Sequence, residues 1–168
     1  LNWFFNQWFL SAGYPEIEIL YEKSDSLKSY QLILNQFDAS SENKIYNLPI
    51  DVNIYFKNKV LKDRILFNTQ SQTFNFEFDE MPVYIEVDPK RTVICKRNEE
   101  LTDEQYLAVL KFSENSISKY LAIENLSESI SNENLLKSIY FDAIDDQSWL
   151  VRNFVIEHYN FQNWQSDT

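Results

Sequence analysis

The chain of 168 residues has very few of the residues from which common catalytic motifs are built: one glycine, one cysteine, one histidine and one methionine. Phosphate-binding loops, dinucleotide fingerprints and nucleophile elbows each need two or more glycines. A His-Glu-x-x-His zinc helix needs two histidines, and a cysteine-type zinc site needs several thiolates. A disulfide within the chain would need a second cysteine. The composition therefore excludes a complete copy of any of these motifs.

Charge and hydropathy argue against two further classes of partner. Lys and Arg number 15 against 26 Asp and Glu, so the formal net charge is −11. Nucleic-acid binding needs a basic patch, and the sequence contains no continuous run of Lys and Arg. There is also no uninterrupted apolar stretch of about 18 residues, the length that a membrane-spanning helix needs. We therefore predict no nucleic-acid partner and no membrane insertion for this segment.

The hydrophobic pattern changes near residues 96–100. Before this point apolar residues alternate with polar ones, which is typical of strands, and after it they recur every three or four positions, which is typical of helices. The sequence therefore predicts a short linking helix over residues 1–14, a β domain over residues 15–97 and an α-helical domain over residues 98–168.

The β domain is predicted to be an antiparallel, immunoglobulin-like sandwich of about seven strands. The connections between the alternating segments are too short for the helical crossovers that parallel strands need. The predicted strands lie at residues 17–21, 30–34, 50–56, 60–67, 74–78, 83–87 and 92–95.

The helix at residues 1–10 is rich in aromatic residues and is predicted to end before Gly13, which supplies the left-handed conformation common after helices. Pro15 then prevents the helix from resuming. Its aromatic surface is too large for one exposed helix, so we expect it to pack on the following domain, on upstream chain, or on both. An exposed helix with no partner is the alternative.

Four helices are predicted after the β domain, beginning near residues 102, 116, 132 and 146–148. Thr102 and Gln105 form the pattern of a capping box at the first of them. Asp146 followed by Val151 and Arg152 resembles the second helix of a HEAT repeat, so residues 132–159 resemble one HEAT-like helical pair. Such pairs stabilise one another by stacking, and we therefore expect further pairs after Thr168. The tail at residues 161–168 is predicted to be frayed.

Single reactive residues favour structural interpretations. His158 has no identifiable nucleophile or orienting group, and Cys95 ends an apolar stretch, where a buried small hydrophobe is expected. The acidic segment at residues 77–80 could be drawn as a carboxylate pair or a calcium site, but it lacks the glycine of a calcium-binding loop and is better explained as a solvated strand end. No catalytic, cofactor-binding or metal-binding residue is therefore assigned.

Other polar and aromatic features leave alternatives open. Asp145 and Asp146 fit the start of a helix, where a negative charge is favourable. Asn125 begins a glycosylation sequon on a predicted helix, although single sequons are common by chance. Trp3, Trp8 and Tyr14 lie outside the strand register, and exposed aromatic residues beside a β-sandwich can bind sugars, so an independent sugar-binding role stays a third, weaker hypothesis.

Several segments together resemble the zinc metallopeptidases of the membrane alanyl aminopeptidase type. The most specific is Leu-Asn-Trp-Phe-Phe-Asn-Gln-Trp at residues 1–8, followed by Gly-Tyr-Pro at residues 13–15, which resembles the helix leaving the catalytic domain. Residues 47–52 and 87–91 resemble two parts of the following sandwich domain. Residues 119–124 and 149–152 resemble the helical region of bacterial members.

The resemblance implies that this chain is the non-catalytic C-terminal part of such an enzyme, acting as spacer, scaffold or active-site cover. The family's zinc ligands and catalytic tyrosine would lie upstream of Leu1, so zinc is expected in that domain and no cofactor in this segment. The implied partners are the upstream catalytic domain, the downstream helical repeats and, through the parent, peptides. A protein-interaction scaffold from an inactive relative is the alternative, and both a cytoplasmic and an exported parent fit one cysteine.

Overall fold

A computed structural model describes residues 2–24, 29–39 and 44–159. The chain divides into two compact units, Leu1–Glu100 and Leu101–Thr168. The first is rich in β-strands and the second consists of helices, so the predicted order of a β region followed by an α region is confirmed. Leu1 and the predicted frayed tail at residues 161–168 lie outside the described residues.

The β-rich unit begins with helix α1, Asn2–Trp8, which ends two residues earlier than predicted. Gly13 adopts a positive φ of 95°, a conformation that a side chain with a Cβ would strain. Strand β1 begins at Pro15, whose fixed φ is compatible with the start of a strand. These two residues therefore turn the chain from the helix into the first strand, as the sequence predicted.

Seven strands of this unit form two sheets. The first sheet has the order β5-β2-β1-β7 and the second has the order β4-β3-β6. The strands are β1 Pro15–Ser24, β2 Ser29–Asp38, β3 Leu48–Tyr55, β4 Val60–Phe67, β5 Ser71–Glu77, β6 Tyr84–Val87 and β7 Lys96–Glu99.

One hydrophobic cluster draws its members from both sheets. Alternation along the strands places every second side chain in this cluster, as in the buried and partly exposed positions of β2. Full burial of an aliphatic or aromatic side chain contributes roughly 1.5–3 kcal/mol relative to exposure. The residues with at most 1% exposure include Leu32, Leu34, Ile50, Val52, Phe67 and Ile85.

The last predicted strand is wrong in position and in direction. Residues 92–95 form no strand, because the backbone amides of Thr92 and Val93 donate to the Asp88 carboxylate at 2.9 Å instead of joining a ladder. Strand β7 follows at Lys96–Glu99 and pairs parallel with β1, so the first sheet is mixed and not wholly antiparallel. No helical crossover is needed, because the chain reaches β7 from β6, which belongs to the other sheet.

The helical unit contains α2 Asp103–Phe112, α3 Ser116–Ser129, α4 Glu133–Ala143 and α5 Trp149–His158. The predicted capping box is present, since Thr102 accepts from the amide of Gln105 and Gln105 accepts from the amide of Thr102. Asn115 and Asn132 cap α3 and α4 in the same way, each through its side-chain oxygen. These caps satisfy amides that have no partner within the helix.

A second hydrophobic cluster joins α3, α4 and α5, with Ile123, Tyr140, Val151, Phe154 and Val155 among its members. Helical spacing predicts inward positions for four apolar residues that are exposed instead: Leu107 at 38%, Ile117 at 52%, Leu135 at 47% and Trp149 at 64%. Each lies on the border of its apolar stripe or outside it, because each of these short helices turns only one stripe toward its neighbours.

Candidate functional site

Helix α1 is fixed to the β-rich unit by the side chain of Gln7, which is buried. Its amide nitrogen donates to the carbonyl of Asn47 at 3.3 Å, and its oxygen accepts from the amide of Asn47 at 2.7 Å. A side-chain amide paired with both the N–H and the C=O of one residue fixes the position of the helix. The buried side-chain oxygen of Asn47 has no hydrogen-bond partner.

Lys44 adds a second attachment at the end of this helix. Its Nζ donates to the Gln7 carbonyl at 2.8 Å and to the Ser11 hydroxyl at 2.6 Å, and it lies 4.6 Å from the centre of the Tyr46 ring. A cation at a helix C-terminus interacts favourably with the carbonyls that have no partner there. Trp8 packs on the same tyrosine, with ring centres 5.6 Å apart.

The remaining aromatic side chains of this segment are exposed. Trp3, Phe4 and Phe5 are 46%, 40% and 48% exposed, and Phe9 and Leu10, just beyond the helix, are 68% and 76% exposed. The phenylalanine rings contact one another at 5.5–6.1 Å between centres. We call these five residues the aromatic face. Contiguous exposed apolar surface of this kind commonly marks an interaction site.

A buried polar network lies in the β-rich unit and joins three strands. The Glu99 carboxylate on β7 accepts from the hydroxyls of Tyr21 on β1 and Tyr84 on β6, the latter at 2.8 Å. Its other oxygen accepts from Arg97 Nε at 2.6 Å, and Arg97 Nη1 donates to the carbonyl of Val87 at 2.6 Å. The side chains of Arg97 and Glu99 are only 17% and 9% exposed, so each charge depends on the other.

The environment of this network shifts three pKa values. Burial, followed by the negative charge of Glu99, raises the pKa of Tyr21 and of Tyr84 well above the usual tyrosine value. Burial alone would lower the pKa of Arg97, but Glu99 and the two tyrosines outweigh it, so the Arg97 pKa is raised. The network is thus held as neutral tyrosines around an ion pair, which makes it a structural element.

A cavity of about 220 Å³ lies beside the turn at Asp88. The Asp88 carboxylate accepts from the backbone of Thr92 and Val93 and from the Thr92 hydroxyl at 2.9–3.0 Å, which leaves it engaged within the turn. Burial raises the pKa of the Cys95 thiol, which lines the cavity and is therefore a poor nucleophile. The other lining residues are Ile17, Ile19, Ile50, Val87, Arg91, Val93 and Arg97.

The two single reactive residues lie in different units. Cys95, expected to be a buried small hydrophobe, is half-buried in the β-rich unit. His158 lies at the end of α5, with Nδ1 2.8 Å from the carbonyl of Phe154 and its ring stacked on Phe154 at 3.9 Å between centres. The described contacts of this histidine are therefore with the preceding helical turn.

The acidic candidates also have structural explanations. Residues 77, 79 and 80 are exposed, and within the described ranges no three His, Cys, Asp or Glu side chains come together as a metal-binding group. Asp146 accepts from the Ser148 amide at 2.7 Å and from Lys119 Nζ at 2.6 Å. Arg152 donates to the carbonyls of Asp146 and Gln147. Asn125 donates to the Leu121 carbonyl at 2.7 Å within α3.

Reasoning from the sequence missed four residues that organise these sites: Gln7, Lys44, Arg97 and Glu99. Gln7 and Lys44 are 37 residues apart, and nothing in their local patterns links them. Arg97 and Glu99 lie in the polar segment Lys-Arg-Asn-Glu, which has the composition of a solvated loop. The one available signal was a pair of opposite charges, two positions apart, after an apolar stretch.

Comparison with known proteins gives a likeness of fold. No protein-family model matches the chain, and no curated protein matches it. Among solved structures, the crystal structure of Legionella pneumophila aminopeptidase A in complex with aspartic acid matches with a TM-score of 0.66 and 16% sequence identity. The match covers 96% of this chain and 22% of that chain. This chain thus spans about a fifth of the length of a protein whose fold it shares.

Within the part of the chain that the structure describes, no helix has both the length and the apolar character needed to cross a bilayer.

Proposed function

We propose that this chain is a non-catalytic supporting segment of a zinc metallopeptidase related to the aminopeptidases. The observation that carries the proposal is the likeness of fold, which extends over 96% of this chain but over only 22% of aminopeptidase A. Both units of the chain thus have counterparts in one larger peptidase. The sequence features assigned to the membrane alanyl aminopeptidase type, above all residues 1–8, agree with this proposal.

In this proposal the two sheets form an immunoglobulin-like sandwich and the helices begin a HEAT-like domain. The shared hydrophobic cluster between the two sheets supports the first part. The pairing of α4 and α5, with Asp146 and Arg152 at the start of α5, supports the second. Side chains that alternate between the core and the solvent along the strands, and helices that stack on one another, would make both parts rigid supports.

The aromatic face is the surface through which this support would hold the catalytic domain of the same protein. Its five large apolar side chains are 40–76% exposed, and the double hydrogen bond of Gln7 fixes the angle at which they are presented. Burial of such side chains contributes about 25 cal/mol for each Å² of apolar surface removed from water. In a peptidase of this kind, the catalytic domain belongs to the same chain and could therefore cover the aromatic face.

Zinc would belong to that partner domain and not to this chain. The residues present do not fit a zinc site, because the chain has one histidine and one cysteine and, in the described ranges, no three His, Cys, Asp or Glu side chains come together as a metal-binding group. Zinc sites in proteins use several histidine, cysteine or carboxylate ligands around one ion. This segment would therefore contribute position and cover, and peptide-bond hydrolysis would take place elsewhere in the parent.

The test compares the isolated chain with the full-length protein. We expect the purified chain with added zinc to release no fluorophore from aminoacyl-coumarin substrates, and the full-length protein to do so. Changing Trp3 and Phe5 to Ser in the full-length protein should reduce its thermal stability and its activity, whereas Phe37→Ser, at a position with 53% exposure on β2, should change neither.

Three results separate the alternatives. A gene whose upstream coding region lacks any His-Glu-x-x-His helix would contradict the proposal. The same helix with its histidines replaced would instead favour the interaction scaffold derived from an inactive relative. Glycan binding by the isolated chain that Trp3→Ala abolishes would favour the sugar-binding hypothesis.

A further inference from the structure

An exposed basic segment interrupts the acidic surface of the β-rich unit. Residues 57–64, Lys-Asn-Lys-Val-Leu-Lys-Asp-Arg, are all exposed and carry four cations and one carboxylate. The remainder of the chain has 11 Lys and Arg against 25 Asp and Glu, a net charge of −14. We call residues 57–64 the basic hairpin segment.

The segment occupies the hairpin between β3 and β4 and the first half of β4. Strand β4 lies at the edge of its sheet and pairs only with β3 among the described strands. Its first buried side chain is Ile65, so the preceding residues extend past the hydrophobic cluster. The segment is therefore an accessible strand edge with a positive charge.

Two carboxylates lie beside Arg64 at the end of this segment. Asp51 accepts from Arg64 Nε at 2.5 Å, and the hydrogen bond from Arg64 together with the charge of Lys90 lowers the pKa of Asp51. Asp63 accepts from the backbone amide of Arg64 at 2.8 Å. Lys59 Nζ lies 4.5 Å from the centre of the Phe56 ring, a cation–π contact at the surface. Within residues 57–64 the four cations thus outnumber the single carboxylate, that of Asp63.

Apolar side chains and a strand edge lie between the lysines. Val60 is 36% exposed and Leu61 is 45% exposed. The amide of Phe56 donates to the carbonyl of Lys59 at 2.9 Å, and alternation along an antiparallel ladder then directs the backbone groups of Val60 away from β3. At Arg64 the amide is already bound by Asp63, which limits strand addition to the start of β4.

We propose that the basic hairpin segment is a docking surface for an acidic, extended polypeptide segment that carries apolar side chains. Opposite charge would draw the partner to the lysines, and the exposed apolar residues and the edge of β4 would hold a short strand. An extended polypeptide suits this combination better than a nucleic acid, because a peptide can pair its backbone with the edge of β4 and place apolar side chains against Val60 and Leu61. The inference does not depend on the proposed support role.

The experiment measures fluorescence anisotropy of a labelled peptide of about ten residues that alternates glutamate with valine. The matched variants are Lys57→Glu/Lys59→Glu and the control Lys23→Glu/Lys111→Glu, which changes the net charge equally at exposed lysines elsewhere. We expect the first pair to raise the Kd at least about tenfold and the control pair to leave it within about twofold. Raising the salt from about 50 to about 300 mM should weaken binding.

Hydrogen exchange measured with and without the peptide locates the binding site. We expect the bound peptide to increase the protection of amides within residues 57–64. Circular dichroism and thermal unfolding of both variants should match the wild type, because all four lysines are exposed. Equal weakening by the two variant pairs, equal binding of the glutamine counterpart of the peptide, absence of binding, or tighter binding of a single-stranded oligonucleotide than of the peptide would each overturn the proposal.

Discussion

The two units of this molecule bury their apolar residues to different extents. Among the described residues, the cluster of the β-rich unit contains fifteen buried apolar residues, and the main cluster of the helical unit contains six. The first unit also buries an ion pair with two tyrosines. In the second unit, helix caps and the Lys119–Asp146 pair, whose side chains are 15% and 14% exposed, provide polar contacts. Strands from distant parts of the chain thus enclose a core, whereas short helices depend more on local contacts.

The largest expected difference is between equal truncations in the two cores. We expect Phe67→Ala, at a side chain with no exposure, to lower the free energy of unfolding toward the upper end of about 3–5 kcal/mol, and Phe154→Ala toward the lower end, because fewer buried neighbours surround Phe154. Urea denaturation followed by circular dichroism measures both. Leu66→Ala, at the adjacent exposed position, should change stability by less than about 0.5 kcal/mol. Equal losses of unfolding free energy for Phe67→Ala and Phe154→Ala would show that the two cores do not differ in this respect.

Removing one charge of the Arg97–Glu99 pair tests how much this pair contributes to the stability of the β-rich unit. We expect Glu99→Gln to lower the free energy of unfolding by about 3 kcal/mol, since the guanidinium of Arg97 stays buried without its counter-charge. Glu100→Gln, at the exposed neighbouring position, is the control and should change it by less than about 0.5 kcal/mol. A similar midpoint of urea denaturation for both variants would mean that the pair contributes little.

Alkaline pH should destabilise the β-rich unit through Tyr21 and Tyr84. Their folded-state pKa values are raised, so the contribution is fully present below the unfolded value of about 10 and is lost as pH rises through the folded values. Each pH unit above about 10 should cost about 1.4 kcal/mol for each of these tyrosines. Urea midpoints across this range, compared with Tyr21→Phe, measure the effect. An unchanged slope in the variant would contradict it.

The smallest expected effect concerns the local contacts of the helical unit. Asn132→Ala removes the side-chain oxygen that caps two amides of α4 and should cost about 1 kcal/mol. Asn134→Ala, at an exposed position within the same helix, is the control and should be neutral or slightly stabilising. Thermal unfolding followed by circular dichroism compares the two. A larger loss at Asn134 would show that capping is not what Asn132 contributes.

Much of the strand and helix arrangement could be predicted from local patterns. The alternation of residues 50–56 and 74–78 predicted strands that the structure contains as β3 and β5, with shifted ends. The Thr102–Gln105 pattern predicted the start of α2, because capping is a contact between near neighbours in sequence. The aromatic helix before Gly13 was predicted as well, because its end depends on residues that are also near neighbours in sequence.

The predictions were wrong where the structure depends on contacts between residues far apart in the sequence. Strand β7 has no apolar alternation, so its sequence resembles a loop, and its parallel pairing with β1 depends on where β6 leaves the other sheet. The expected inward position of Leu135 and Trp149 was wrong because helix orientation depends on the neighbouring helices. The attachment of α1 through Gln7 and Asn47 joins residues 40 positions apart and has no local signal.

The sequence alone determined which segments become strands or helices, where the helices begin, and that the common glycine-, histidine- and cysteine-based motifs cannot be complete here, because these properties depend on composition and on residues a few positions apart. Only the tertiary structure decided the strand order, the ion pair beneath two tyrosines and the exposure of the aromatic face and the basic hairpin segment. These features arise when segments far apart in the chain meet, and they are fixed by the burial and hydrogen bonding of the whole unit.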